Sequence, residues 1–68
     1  MNTETEKLIE MTIERVNDIG KINCKAYKAE LMAKGMSKKQ AESIVEAVIG
    51  SGKVHWEIFA DNFVKIEY

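Results

Sequence analysis

Ile44-Val45-Glu46-Ala47-Val48-Ile49-Gly50-Ser51-Gly52-Lys53-Val54-His55-Trp56-Glu57-Ile58 changes rhythm partway along. Before the glycines, the apolar residues recur at three- and four-residue spacing, the period of a helix with one buried face. After them, apolar and polar residues alternate, the period of a half-buried strand. Gly50-Ser51-Gly52 is the break between the two. A helix feeding directly into a strand, late in a chain of only 68 residues, makes this stretch decisive for the fold.

Working back from the break, the pattern predicts a helix over Lys38 to Ile49 that buries Ala41, Ile44, Val45, Val48 and Ile49. Its opposite face would present Lys39, Ser43 and Glu46, with Gln40 and Ala47 on one flank and Glu42 on the other. Lys34-Gly35-Met36-Ser37 reads as a tight turn, Gly35 taking a left-handed conformation and Ser37 capping the helix from Lys38. A second helix is expected over Cys24 to Lys34, capped by Asn23. Tyr27 and Leu31 would face inward, flanked by Cys24 and Met32, while Ala26, Ala29 and Ala33 offer a smooth surface for close helix approach. Lys21-Ile22 is a short extended link with Ile22 plugging the core. The first helix begins near Thr3, where Thr3-Glu4-Thr5-Glu6 reads as a capping box, and ends at Gly20. Leu8, Ile9, Thr12, Ile13, Val16 and Ile19 share its inner side.

Working forward, Val54, Trp56 and Ile58 alternate with Lys53, His55 and Glu57, and Trp56 is expected beneath the hairpin in the core. Ala60-Asp61-Asn62 supplies the turn, and Val64, Ile66 and Tyr68 then alternate with Phe63, Lys65 and Glu67. The result is a β-hairpin with one buried face, which needs the helices to pack against.

The sequence thus predicts an α+β fold in the order α-β-α-α-β-β, as one domain over residues 1–68. Gly20-Lys21-Ile22, Lys34-Gly35-Met36-Ser37 and the Ile44-Val45 to Lys53-Val54 run carry a resemblance to the winged helix-turn-helix superfamily across essentially the whole chain. The last of these stretches also resembles the small winged domain at the carboxyl end of archaeal minichromosome maintenance helicases. The superfamily resemblance implies binding of duplex DNA, with the third helix in the major groove and the wing on the backbone.

Charge is segregated along the chain. Residues 1–20, 21–39 and 40–68 carry net charges of −3, +5 and −3, a basic centre between acidic ends. Within the implied fold, Lys25, Lys28 and Lys34 would position the DNA backbone, and Ser37, Lys38 and Lys39 would meet it at the start of the third helix. Gln40 and Ser43 would reach base edges, Ala47 a thymine methyl. Lys53, His55 and Lys65 would belong to the wing. Glu42 and Glu46 lie beside this surface, and it holds no arginine, so the expected affinity is modest and salt-dependent. The expected role is a small regulator acting by site occupancy.

The alternative is a protein-interaction module. Glu6, Glu10, Glu14 and Asp18 run along the first helix at four-residue spacing, suited either to a basic partner or simply to water. Phe59 and Phe63 flank the hairpin turn, either as an exposed apolar tip or as a cap on the core edge. The size also fits a virus- or plasmid-encoded accessory protein that occupies a host complex. Monomer and homodimer both remain open.

Other chemistry is not expected. One cysteine, Cys24, and one histidine, His55, assemble no zinc site, and no cofactor motif is present. The exposed carboxylates lack a pocket to raise a pKa, so no enzyme activity is expected. Gly50-Ser51-Gly52-Lys53 lacks the glycine spacing of a phosphate loop and comes after a helix where that motif comes after a strand. The acidic start lacks the layout of a secretory leader, no apolar run approaches the ~20 residues of a membrane span, and a lone thiol suits a reducing compartment. A cytoplasmic location is therefore expected.

Overall fold

The computed structural model describes residues 3–67. Its elements are α1 (Thr3–Ile19), β1 (Lys21–Asn23), α2 (Cys24–Ala33), α3 (Lys38–Gly50), β2 (Val54–Glu57) and β3 (Asn62–Lys65). The strands form one antiparallel sheet in the order β1-β3-β2. This is the expected α-β-α-α-β-β arrangement, an α+β fold compatible with a winged helix.

Local causes set the end of α1, both ends of α2 and the start of α3. Gly20, at φ +89°, turns the chain out of α1. Asn23 caps α2, its side-chain oxygen accepting from Ala26 N at 3.0 Å, while its amide group donates to the carbonyls of Ala60 and Asp61. One residue therefore both starts a helix and anchors the hairpin turn. Lys34 is the C-cap of α2 and lies just outside it, and Gly35 at φ +105° makes the corner. Ser37 and Gln40 form a reciprocal capping box at the start of α3, with bonds of 3.1 and 3.0 Å. Thr3 is already helical, so the capping position of α1 falls outside the described residues.

The core gathers Ile13, Val16, Ile22, Cys24, Tyr27, Leu31, Ala41, Ile44, Val45, Val48, Val54 and Phe63, with Leu8, Ile9 and Ile49 packed around it. Phe63, Leu31 and Val16 are its largest fully buried members. Tyr27 meets Phe63 edge-on, ring centroids 5.9 Å apart. Thr12 donates its hydroxyl to Leu8 O at 2.8 Å, so the buried contact between Thr12 and Tyr27 is a bond donated by the phenol.

Several expected core positions are corrected. Ile19 is exposed, because it occupies the last turn of α1 where Gly20 leads the chain away. Met32 is exposed, and so are Ala26, Ala29 and Ala33, which no neighbouring helix covers. The inward stripe of α2 is Cys24, Tyr27 and Leu31, and at 100° per residue the three alanines fall on the opposite side. The hairpin turn spans residues 58–61, with Asn62 already in β3, so it is not Ala60-Asp61-Asn62. That four-residue connection sets Trp56 opposite Phe63 and His55 opposite Val64. Directly opposed residues share a face, so Phe63 joins Ile22 and Val54 on the inner side, and Val64 joins Lys21 and His55 on the outer. The expected parity of the last strand is thereby inverted. Trp56 lies at the sheet margin, 37% exposed, with its indole N–H 3.4 Å from Asp61 Oδ1, and Ile58 stands exposed in the turn. Tyr68, placed in the same alternation, lies outside the described residues.

Candidate nucleic-acid interface

The tight corner between α2 and α3 decides which lysines meet. Lys25 and Lys28 project from one side of α2, and Lys38 from the first turn of α3. All three line a single groove together with Ala29, Met32 and Asp61. None of the three forms an ion pair among the described residues, and neither does Lys39, exposed beside them on α3. Unpaired ammonium groups beside a helix start, where backbone N–H groups carry partial positive charge, form a local excess of positive potential.

The other expected contacts do not all join this groove. Lys34 reaches back to Glu30, 3.8 Å away, and turns with Gln40 toward a separate cleft beside Glu4 and Lys7 of α1. Gln40 has already committed its side-chain oxygen to the Ser37 N–H, and Ser37 its hydroxyl oxygen to the Gln40 N–H. Ser43 donates its hydroxyl to Lys39 O at 3.0 Å and faces the α1 cleft alongside Gln40. Ala47, one further turn along that flank, is half-buried. The expected reading surface of α3 thus divides, Lys38 facing the α2 groove and Gln40 with Ser43 facing α1.

On the hairpin, Lys53, His55 and Lys65 are all exposed. His55 sits opposite Val64 on the outer face and Lys65 opposite Val54 on the inner one, so the two point away from each other. Lys53 precedes β2, its N–H donating to Ser51 Oγ at 3.1 Å.

A second groove adjoins the first, between α3 and the hairpin. Lys28 borders it too, but its remaining charged walls are Glu42, Glu46 and Asp61, with Trp56 at its rim. Positive and negative surfaces therefore meet at Lys28. Asp61 has a part that sequence reasoning misses. The sequence shows it only as a turn residue, yet at φ 55° its carbonyl accepts from Cys24 N at 2.7 Å and its carboxylate borders both grooves. The available signal is its residue type, since Asp tolerates the left-handed conformation.

Cys24 is buried at the start of α2. Burial, and then the charge and hydrogen bond of Asp61, push its thiol up to about 11, outweighing the opposing pull of Lys28. Such a thiol is no nucleophile at neutral pH.

The features of the alternative reading separate as well. Glu6, Glu10, Glu14 and Asp18 are exposed along α1, while Arg15 of the same helix places its Nη1 3.1 and 3.2 Å from the two carboxylate oxygens of Glu30 on α2. Phe59 is entirely exposed at the hairpin tip, whereas Phe63 is entirely buried and is corrected from a partner-binding candidate to a core residue. Among the described residues, no three His, Cys, Asp or Glu side chains gather as a metal site, and no helix is long and apolar enough to cross a membrane. In comparisons with family models, curated proteins and solved structures, the chain matches none.

Proposed function

We propose that this chain binds duplex DNA through the corner between α2 and α3, as a small regulator that acts by occupying its site. The observation that carries this reading is the convergence of Lys25, Lys28 and Lys38, unpaired and drawn from two helices, on one groove at the start of α3. With Lys39 alongside, three to four phosphate contacts are within reach, which predicts a loss of affinity of about 40- to 150-fold between about 50 and 200 mM salt. Because Gln40 and Ser43 serve their own helix, binding rests on backbone contacts more than on base reading.

Fluorescence anisotropy with random duplex DNA tests it. The expected result is micromolar binding that falls with salt as stated and disappears in Lys38→Glu with Lys39→Glu. No binding at the lower salt overturns the reading.

Fully exposed Phe59, beside exposed Ile58, favours a second reading, a protein-interaction module using the hairpin tip or the acidic face of α1. In that case Lys38→Glu with Lys39→Glu leaves activity intact, and Glu10→Lys with Glu14→Lys abolishes it if α1 is the surface used.

A further inference from the structure

β2 lies at the edge of the sheet, and the direction of its backbone groups can be worked out from the rest of the ladder. Lys65 N donates to Gly20 O at 2.8 Å, and Cys24 N donates to Asp61 O at 2.7 Å. Residues 61, 63 and 65 therefore turn their backbone groups toward β1, and Asn62 and Val64 turn theirs toward β2. The β2 partners of Asn62 and Val64 are Glu57 and His55. That leaves the N–H and C=O groups of Val54 and Trp56 pointing outward, where among the described residues they meet no partner. His55, Trp56 and Glu57 are exposed along this edge, and Val54 at its start is buried in the core.

We propose that a second copy of this chain pairs along this edge, β2 against β2, antiparallel about a two-fold axis at His55. The register is fixed by the backbone. Outward groups must meet outward groups, so only slips of two residues are allowed. A slip toward the turn would bring Ile58, a turn residue, into the ladder, and a slip the other way would bring in Gly52, at φ +73°. The remaining register sets Val54 opposite Trp56 of the second copy, twice, as hydrogen-bonded pairs.

Charge agrees with that register. Lys53 falls opposite Glu57 of the second copy, again twice, whereas a parallel arrangement would set lysine against lysine and glutamate against glutamate. The exposed flank of Trp56 would be covered by Val54 of the other copy. A contact of one short strand is far below the ~1,600 Å² of a standard stable interface, so the association is a weak one.

The test is sedimentation equilibrium of the full chain, without nucleic acid, from about 20 µM to about 1 mM, a range suited to weak contacts. Its outcome is independent of DNA binding. A concentration-dependent monomer–dimer equilibrium is expected, weakened at least about 10-fold by Lys53→Glu and by Glu57→Lys separately and restored when the two are combined. Both positions are exposed, and a native circular dichroism spectrum of each variant is required as the control for folding. A monomer throughout the range overturns the proposal, as does failure of the combined variant to restore pairing. Loss of the dimer in Ile58→Ser with Phe59→Ser, while the charge variants still associate, also overturns it and assigns the contact to the apolar tip.

Discussion

Cys24 and Tyr27 face the same interior and respond to it in the same way. Burial raises the pKa of each, the thiol from 9.0 to about 11 and the phenol upward from 10.0. A folded state that holds a proton more tightly than the unfolded one is favoured while that proton is present in both. The resulting stability is complete below pH 9 and is lost as pH rises through about 11. Urea unfolding should therefore show a midpoint that falls between about pH 8 and about pH 11, and Cys24→Ser should flatten part of that fall. An unchanged slope in the variant would remove Cys24 as a cause. The cysteine's place at a helix start is legible in the sequence. Its environment is not, because Asp61 arrives from 37 residues away through the hairpin turn.

At the scale of elements, helices are more legible than strands. α3 and its buried positions come from a 3.6-residue period sustained over three turns, and its cap from Ser37, whereas the bond that the Ser37 N–H donates to Gln40 emerges only in the fold. In α2 the inward stripe is as the period predicts, but no neighbour packs on the alanines. The hairpin inverts because strand register depends on where the turn begins. A one-residue error there exchanges the two faces, and residues 58–61 hold both apolar and turn-forming residues. The two phenylalanines provide the test. Phe63→Ala should cost about 3–5 kcal/mol, comparable to the whole stability of a domain this small, and leave the chain largely unfolded at room temperature. Phe59→Ser should leave the thermal midpoint unchanged. Equal effects in thermal melts would mean that the hairpin register is wrong.

Across the whole molecule, charge is arranged differently in space than along the chain. The basic segment between residues 21 and 39 does not form one basic face. Lys34 turns toward α1, and Lys28 stands at the border with Glu42, Glu46 and Asp61. If DNA lies in the α2–α3 groove, those carboxylates repel its phosphates. Glu42→Gln with Glu46→Gln should then tighten binding about 3- to 10-fold at low salt, with the gain shrinking as salt rises. An unchanged affinity in anisotropy titrations would place the DNA elsewhere on the surface.

The order of elements, the helix caps and most of the helical core were determined by sequence alone, because they depend on residues within one or two turns of each other. Apolar periodicity, Asn23, Gly35 and Ser37 act locally, and their meaning does not change with what packs nearby. Tertiary structure decided the hairpin register, the exposure of Trp56, the place of Phe63, and the separation of Lys25, Lys28 and Lys38 from Lys34, Gln40 and Ser43. Those outcomes depend on the pairing of β3 with β1 and on the angle at which α3 leaves the corner after Gly35. Both are set by contacts between residues far apart in the chain.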